Sequence, residues 1–414
     1  MSSAPSSRVP ALLGGEPLFE VPLHVGRPNL GSREGFLEKV NSIWDRNWLT
    51  NDGPLVREFE QRVANQLQVE HCVAVSNATI GLEIAIRALD LTGEVIVPAF
   101  TFVATAHAVS WQGLQPVFCD VNPVTHQIEP TSVAAAITDR TSGIIGVHLW
   151  GRTAPVEELT ELANDRNLKL LFDAAHAFGC EYGGKPVGGF GNAEVFSFHA
   201  TKFVNCGEGG AITTNCSRLA EKLRLMRNFG FNGFDRVIHP GTNGKMSEFH
   251  ASMGLTSLDA MDEFVKRNTK NLHAYREELR NVPGLSFTPQ TLDQSNDQYV
   301  VLTIHPETAG MSRDELLLVL HSENIIARRY FFPSCHRMAP YAGETQHTPV
   351  ALTATESISN QVLQLPTGMQ VDEKIIARIA SIIRDALACP ERLRRALQEY
   401  AQHQSKVWAL ESQT

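Results

Sequence analysis

Several features that would assign a protein to a common functional class are missing from this chain of 414 residues. No apolar run approaches the ~20 residues that a membrane-spanning helix needs. No basic run occurs, and 36 Lys and Arg against 45 Asp and Glu leave a formal charge of −9, which disfavours non-specific nucleic-acid binding. The GxGxxG and P-loop patterns of nicotinamide and ATP sites are also missing. We therefore expect neither a membrane protein nor a nucleic-acid-binding protein.

Cysteine is sparse and shows no pairing pattern. The seven cysteines form no CxxC pair, and Cys335-His336 lacks the spacing of a metal site. We therefore expect no metal centre, and free thiols in a reducing cytoplasm. The N-terminal stretch MSSAPSSRVPALLGG has no signal-peptide pattern, which agrees with that location, and its Ser and Pro content predicts disorder over residues 1–20.

Alternating strand and helix patterns begin near residue 70. Short apolar runs such as CVAVS (72–76), EVIVPA (94–99) and EVFSF (194–198) are separated by longer helical patterns. This alternation predicts an α/β domain with a largely parallel sheet covered by helices on both faces. The pattern restarts near residue 285, with NIIARRYF among its strand candidates. We predict a large domain over 21–260, a smaller α/β domain over 261–400 and a tail over 401–414.

Two positions next to predicted strands suit charged groups of a ligand. The turn Ser76-Asn77-Ala78-Thr79 joins a strand to a helix, whose free N–H groups suit a phosphate. Asp173 ends the strand pattern of LLFDAAHA, where ligands of open α/β sheets bind, and a carboxylate there can pair with a protonated ring nitrogen. Each feature has an ordinary alternative, because Asn77, Thr79 or Asp173 could simply cap a helix.

Lys202 follows the apolar pattern of FSFHATK and precedes a loop that contains Gly207, Gly209 and Gly210. A lysine amine forms imines with carbonyl groups, and burial lowers its pKa toward the neutral, reactive form. Glycine permits close backbone approach, and we expect the loop to pass close to Lys202 for that reason. Taken alone, an exposed loop lysine is the simpler interpretation.

These three features, in this order along the chain, meet the needs of one cofactor. Pyridoxal phosphate has a phosphate, a pyridine nitrogen and an aldehyde, which Thr79, Asp173 and Lys202 can address respectively. Once it is displaced by substrate, Lys202 is free to move a proton as general base and general acid. The residues therefore favour a pyridoxal-phosphate enzyme of fold type I.

The segments VPAFTFVATAHAV, LFDAAHAFG, FSFHATKFVNCGEGGAI and GTNGKMSEFHASMG resemble the sugar aminotransferases of the DegT/DnrJ/EryC1/StrS family. The resemblance extends from about residue 20 to about residue 390. It implies the type I aminotransferase fold, with a mostly parallel mixed sheet in the large domain and a smaller C-terminal α/β domain. PLHVGRPN and HLWGR are most similar to enzymes that act at C4 of dTDP-4-keto-6-deoxyglucose in deoxysugar pathways. A homodimer with shared active sites and glutamate as amino donor are further implications.

The resemblance also implies roles for individual residues. Lys202 would form the imine with the cofactor, Asp173 would pair with the pyridine nitrogen, and His176 would lie near the ring hydroxyl. Ala78, Thr79 and Ser197 would contact the cofactor phosphate. Phe102 would stack on the face of the cofactor ring. Asn243 would reach the cofactor phosphate bound in the partner subunit. Lysine at position 202 argues against the dehydratase branch of the family, which has lost it.

Weaker features complete the prediction. Arg27, Arg328 and Arg329 could meet the nucleotide diphosphate, since guanidinium groups suit phosphate, although structural or surface arginines are an equal alternative. Asn228 and Phe229 stand where the family often reads RNHG, and phenylalanine in place of histidine leaves their role open.

Two other functions stay open at this point. One is a C3 aminotransferase acting on a dTDP-3-keto-6-deoxyhexose, because one sequence does not show which sugar face is presented. The other is a non-catalytic binding or regulatory protein with the pyridoxal-phosphate fold. Intact Lys202, Asp173 and Thr79 argue against this second alternative.

Overall fold

The computed structural model describes residues 8–289, 293–343 and 347–411. Residues 1–7 of the predicted disordered segment and residues 412–414 of the predicted tail lie outside the described residues. The helices are α1 (Arg33–Arg46), α2 (Pro54–Leu67), α3 (Ala78–Ala88), α4 (Ala104–Trp111), α5 (Pro130–Ala136), α6 (Val156–Asp165), α7 (Ser217–Arg227), α8 (Glu248–Asp259), α9 (Met261–Glu278), α10 (Pro306–Ala309), α11 (Arg313–Ser322), α12 (Thr353–Gln361), α13 (Glu373–Ala388) and α14 (Pro390–Glu411). The strands are β1 (Leu23–His24), β2 (His71–Val75), β3 (Glu94–Pro98), β4 (Gln115–Cys119), β5 (Thr141–Val147), β6 (Lys169–Asp173), β7 (Glu181–Tyr182), β8 (Lys185–Pro186), β9 (Ala193–Ser197), β10 (Gly210–Thr214), β11 (Leu285–Phe287), β12 (Val300–Ile304), β13 (Ile325–Ile326) and β14 (Val362–Leu365).

The main sheet has the order β2-β10-β9-β6-β5-β3-β4 within the described residues. Strand β10 is antiparallel to both of its neighbours, and the other paired strands are parallel. Because parallel strands point the same way, the carboxyl ends of β3, β5, β6 and β9 meet at one edge, and β2 ends there too. The mostly parallel α/β sheet predicted from the sequence is confirmed.

Helices cover both faces of this sheet, which explains its continuous apolar strands. Along β3, Val95 and Val97 belong to the same buried cluster as Leu82 of α3, whereas Ile96 belongs to a second cluster that includes Leu159 of α6. Each such side chain contributes about 1.5–3 kcal/mol when fully removed from water. The sheet edge is therefore a rigid frame for the residues that follow its strands.

A second unit forms around the antiparallel sheet β11-β12-β14. Its helix α13 begins at the N-cap Asp372, whose side chain accepts from the backbone N–H of Ile375 at 2.8 Å. Ile376, Ile379 and Ile383 then recur at helical spacing and are buried in the second core. Helix α9 contributes to both cores, so it carries the chain from one unit to the other. The predicted domain limits at residues 260 and 400 stay a prediction.

The N-terminal residues from position 8 onward lie against this second unit. The backbone N–H groups of Ala11 and Leu18 donate to the buried Glu323 carboxylate at 2.9 and 2.8 Å, and β1 pairs with β13. The strand predicted over NIIARRYF is shorter than expected and ends at Ile326. After it, Arg328 makes an isolated bridge to Gln364, and the chain then turns toward a cavity. None of the helices in the described ranges combines the length and apolarity of a bilayer-spanning segment.

Candidate active site

A cavity of about 540 Å³ lies at the carboxyl edge of the main sheet, between the two units. One wall, the sheet-edge wall, is formed by residues that follow the main strands. The other, the second-unit wall, comes from the residues just before β12, from β14 and from the segment after β13. The sheet-edge wall includes Ala78, Thr79, Phe102, Asp173, His176, Ser197 and Lys202, and the second-unit wall includes Gln298, Tyr299, Tyr330, Phe331 and Gln364.

The turn between β2 and α3 presents free backbone donors to this cavity. Asn77 is the N-cap of α3, and its side-chain oxygen accepts from the N–H of Ile80 at 2.9 Å. The capping role is therefore real, and it coexists with cavity lining by Ala78 and Thr79. The N–H groups of a helix N-terminus carry partial positive charge, so this end of the cavity suits an anion.

Asp173, the last residue of β6, is held from two sides. Its carboxylate accepts from the Thr105 hydroxyl at 2.8 Å and from the backbone N–H of Ala175 at 3.1 Å. Burial raises the pKa of the Asp173 carboxyl, while these two bonds and the charge of Lys202 act in the opposite direction. A cation placed against such a carboxylate favours its ionised form and is bound strongly.

Lys202 lies partly buried at the same cavity, in the connection from β9 to β10. Its Nζ donates to the hydroxyl of Tyr299 at 2.9 Å. Burial lowers the pKa of the Lys202 amine to about 8, although the Asp173 charge raises it. A substantial neutral fraction is therefore present near pH 8, as nucleophilic and proton-transfer chemistry require.

The ring of His176 has a fixed orientation. The backbone N–H of Trp150 donates to its Nδ1 at 3.3 Å, and the two rings stack at 5.8 Å between centroids. Burial, with the nearby charge of Lys202, lowers the pKa of His176 well below its usual range. The ring is therefore neutral, and because Nδ1 accepts, the proton resides on Nε2.

Phe102 and Ser197 contribute an apolar face and a hydroxyl to the same cavity. Phe102 follows β3 and is 53% exposed, which is unusual for a phenylalanine beside a buried strand. Ser197 ends β9, and its hydroxyl accepts from the N–H of His199 at 3.3 Å. An exposed ring beside polar groups is a suitable surface for a flat, partly polar ligand.

The glycines after Lys202 are small for a different reason than we expected. A Cβ on Gly210 would lie 2.7 Å from the backbone nitrogen of Ala78, and a Cβ on Gly209 would lie 2.8 Å from the Cβ of Cys206. Gly207 has φ +73° and faces open space. The loop does run beside the segment that carries Lys202, since the carbonyl of Gly207 accepts from the N–H of Ala200 at 2.7 Å, but the close approach at Gly210 is to the start of α3.

Among the weaker predictions, Arg27 lines the cavity and donates to Gln370 at 2.7 Å. Arg328 and Arg329 are not among the described residues that line it. They lie over the rings of Tyr330 and Phe332, at 4.9 and 4.7 Å from the ring centroids. A contact of either arginine with a diphosphate stays a prediction.

Asn243 is exposed and pairs with Asn228 across an isolated bridge. It does not belong to the described lining of this cavity, so its predicted contact with a partner subunit stays a prediction. Asn228 accepts from the Lys245 ammonium at 3.0 Å, and the ring of Phe229 lies 4.7 Å from the same nitrogen. These two residues therefore hold Lys245, where the sequence had left their role open.

Sequence reasoning missed Thr105, Trp150, Gln298 and Tyr299. Gln298 accepts from the N–H of Phe203 at 3.3 Å and donates to the carbonyl of His176 at 3.0 Å. A signal was present: the polar stretch SNDQY directly precedes the buried strand β12, as Asp173 and Lys202 stand beside buried strands. Thr105 and Trp150 carried no such signal, because each acts through a partner distant in sequence.

A model of the DegT/DnrJ/EryC1/StrS aminotransferase family matches residues 32–384. The chain belongs to this family. The aminotransferase is 36% identical to a dTDP-4-amino-4,6-dideoxy-D-glucose transaminase of Shigella dysenteriae, over 89% of this chain and 100% of that protein. It is 31% identical to a GDP-perosamine synthase of Caulobacter vibrioides, over 88% and 98% respectively. The crystal structure of DesI with its TDP-sugar product matches with a TM-score of 0.88 and 46% identity, over 95% of this chain and 98% of DesI.

Pyridoxal phosphate is the cofactor of this aminotransferase, as its family and its structural neighbours imply. The polar groups that line the cavity fit that cofactor. Free N–H groups of α3 suit the phosphate, the buried Asp173 suits a protonated ring nitrogen, and the amine of Lys202 suits the aldehyde carbon. Phe102 offers an exposed aromatic face for the ring between them.

Proposed function

We propose that this aminotransferase converts dTDP-4-keto-6-deoxy-D-glucose to dTDP-4-amino-4,6-dideoxy-D-glucose, with glutamate as amino donor. Transamination is supported above all by one observation: Lys202, Asp173 and the N-terminus of α3 line the same cavity. The sugar nucleotide is supported by the Shigella relative, which is named for that amino sugar, and by DesI with its TDP-sugar product.

Lys202, Asp173 and His176 have different roles in the proposed reaction. Pyridoxal phosphate, when bound, supplies a carbonyl carbon that carries nitrogen and a ring that accepts electrons. Lys202 would take a proton at Nζ from one reacting carbon and deliver it to another, which its pKa of about 8 permits. Asp173 would keep the ring nitrogen protonated, and His176 would offer its Nε2–H to the ring hydroxyl.

Aromatic rings of the second-unit wall pack on Trp150 beside the cavity, an arrangement that supports partial exclusion of water. The ring of Phe331 stacks on Trp150 at 5.2 Å between centroids, and Tyr299 meets the same indole edge-on at 5.4 Å. Electrostatic contacts strengthen when water is excluded. The oxygen of Gln364 has no partner among the described groups, although the residue lines the cavity. We propose that a sugar hydroxyl donates to it.

We propose a homodimer located in the cytoplasm. Asn243 lies on the connection from α7 to α8, which also exposes Phe229, Phe231 and Phe234, the last at 98%. An apolar surface of this kind favours association, and dimerisation would bring Asn243 toward the cofactor of the partner subunit. All seven cysteines are free thiols, which supports a reducing compartment.

Three parallel incubations test the substrate and the position of the new amine. The purified protein is given glutamate with dTDP-4-keto-6-deoxyglucose, with a dTDP-3-keto-6-deoxyhexose or with a GDP-linked 4-keto sugar, and each product is identified by NMR. We expect an equatorial amine at C4, as the D-gluco configuration of the proposed product requires. An amine at C3, formed from a dTDP-3-keto-6-deoxyhexose, would favour the alternative regiochemistry, and turnover only with a GDP-linked keto sugar would favour the activity named for the Caulobacter relative.

A second measurement separates an enzyme from a non-catalytic homologue. The protein loaded with pyridoxal phosphate is expected to absorb visible light through its bond to Lys202, and borohydride is expected to bleach that absorption. Peptide mapping would then find the reduced cofactor on Lys202. A protein that binds no chromophore after addition of the cofactor would contradict the proposal.

A further inference from the structure

Tyr299 is the described residue that touches the reactive nitrogen of Lys202 from the opposite unit. The Lys202 ammonium donates to its hydroxyl at 2.9 Å, and Nζ lies 5.6 Å from the centre of its ring. The ring itself is fixed, because it lies 4.4 Å from the ring of His176 and 5.4 Å from Trp150. The hydroxyl therefore has a defined position beside the amine.

The backbone around Tyr299 is fastened to the sheet-edge wall. Residues 296–299, which we call the linking segment, directly precede β12. The side-chain amide of Asn296 donates to the carbonyls of His176 and Phe178 at 2.8 and 3.0 Å, and Gln298 donates to that of His176 at 3.0 Å. Gln298 also accepts from the N–H of Phe203, the neighbour of Lys202. The linking segment thus holds Tyr299 in register with Lys202.

The hydroxyl of Tyr299 stays protonated under ordinary conditions. Desolvation raises the pKa of Tyr299 well above its usual range, and the nearby Tyr330 and Asp173 act in the same direction. A neutral phenol can accept a hydrogen bond from an ammonium group and can donate one to a free amine. Tyr299 therefore offers a partner to Lys202 in both of its protonation states.

We propose that Tyr299 is a positioning residue whose hydroxyl holds the Lys202 amine in the cavity whenever that amine is not bonded to the cofactor. The inference rests on the proposed transamination, in which the lysine is free of the cofactor while it moves protons in both halves of the reaction. A released lysine has a flexible stem with about 2 kcal/mol of rotamer entropy. A fixed hydroxyl keeps its nitrogen near the carbon from which it must take a proton.

The decisive experiment titrates Lys202 in the full-length, cofactor-free protein. Lys202 is acetylated competitively at trace level from about pH 6 to about pH 10.5, a range that spans its shifted and ordinary pKa values, and the labelled peptide is quantified by mass spectrometry. The wild-type midpoint is expected near pH 8. In Tyr299→Phe it should fall by about 0.5–1 pH unit, because the hydrogen bond lost from the ammonium is stronger than the one lost from the free amine by about 0.7–1.4 kcal/mol.

Tyr275→Phe is the matched control. Tyr275 is buried in the second core, where its hydroxyl donates to the carbonyl of Pro366 at 2.9 Å. The same atom is removed from the same unit, so any general loosening should appear in both variants, yet the Lys202 midpoint should move only in Tyr299→Phe. Circular dichroism checks that both variants fold. An unmoved or raised midpoint in folded Tyr299→Phe would overturn the proposal.

A kinetic measurement on the cofactor-loaded enzyme adds an independent readout. In Tyr299→Phe we expect kcat to fall about threefold to tenfold, the loss of one hydrogen bond, while KM for the sugar nucleotide stays within about twofold. A raised KM with unchanged kcat would overturn the proposal, because it would make Tyr299 a substrate contact. The titration uses neither sugar nor amino donor, so it decides the role of Tyr299 even if the proposed transamination is not observed.

Discussion

The two walls of the cavity differ in how their residues are attached to the fold. Residues of the sheet-edge wall stand at the ends of strands β2, β3, β6 and β9 or a few residues beyond them, and these ends are fixed by a mostly parallel sheet that is covered on both faces. Residues of the second-unit wall are held by side-chain bonds across the interface, such as those of Asn296 and Gln298 to the carbonyl of His176. The difference indicates that the first wall supplies the chemistry and that the second adjusts it.

The sharpest test of this comparison is Lys202→Ala. Removing the amine that carries both the imine and the proton should reduce kcat by at least about a thousandfold, measured by product formation from the sugar nucleotide. Lys169→Ala is the matched control, because Lys169 is an exposed lysine at the opposite end of strand β6. Full turnover by Lys202→Ala would contradict the assignment of chemistry to the sheet-edge wall.

A smaller loss is expected at Asp173. Asp173→Asn keeps the shape but removes the charge that pairs with a ring nitrogen, which should cost about 1.5–3 kcal/mol, or about 10- to 100-fold in kcat. Thr105→Val removes only the neutral hydroxyl that donates to this carboxylate, and should cost less. The two variants are compared by kcat and by cofactor absorption. An equal loss in both would mean that Asp173 acts only through its local bonds.

Gly210 tests the anion site at the start of α3. In Gly210→Ala the new Cβ would lie 2.7 Å from the backbone nitrogen of Ala78, so the free N–H groups must move and the Kd for pyridoxal phosphate should rise about tenfold, a strain of about 1.4 kcal/mol. In Gly35→Ala, within α1, the nearest described atoms would lie at an ordinary 3.6 Å, and cofactor affinity should be unchanged. Cofactor titration followed by absorbance distinguishes the two.

Gln298→Ala examines the second-unit wall. It removes both the acceptor for Phe203 N–H and the donor to the His176 carbonyl, which should lower the free energy of unfolding by about 1–3 kcal/mol, measured by urea titration. Cofactor binding should survive, since none of its proposed contacts is removed. If the variant failed to bind cofactor while remaining folded, the two walls would not be separable in function.

The smallest effect concerns stability and pH. The pKa of Lys202 in the folded state is lowered to about 8. Between about pH 8 and pH 10.4, this amine therefore binds fewer protons in the folded protein than in the unfolded chain. This contribution to stability therefore rises with pH across that window. Cofactor-free Lys202→Met should be more stable than the wild type at pH 7 by about 1–2 kcal/mol, after allowance for partial exposure of the amine. Urea titrations at both ends of the window should show this difference shrinking as the pH rises.

The contrast between the walls also explains what the sequence could predict. The parallel sheet and the positions of Thr79, Asp173 and Lys202 follow from local patterns, because a strand end fixes what comes directly after it. Tyr299 could not be paired with Lys202 in this way, since the two are separated by 97 residues and meet only through packing of the two units. Likewise, Thr105 lies 68 residues from Asp173, within a helix of ordinary composition.

The sequence did not predict the early end of β13 or the contacts of the glycines, for a related reason. The strand ends at Ile326, although the pattern NIIARRYF predicted a longer one, and Tyr330 and Phe331 line the cavity instead. Gly210 must be small because the start of α3 packs against it, and that helix start is more than a hundred positions away in the chain. Contacts of this range leave no periodic trace in the sequence.

The position of the linking segment in the chain affects how the site forms during synthesis on the ribosome. During synthesis, Lys202 leaves the ribosome 97 residues before Tyr299, while N-terminal domains generally fold first. The nascent sheet-edge wall therefore exists for a time without Asn296 and Gln298, whose side chains hold the loop of His176. A chain that terminates before the second unit therefore carries the reactive lysine without the hydroxyl of Tyr299, to which its amine donates.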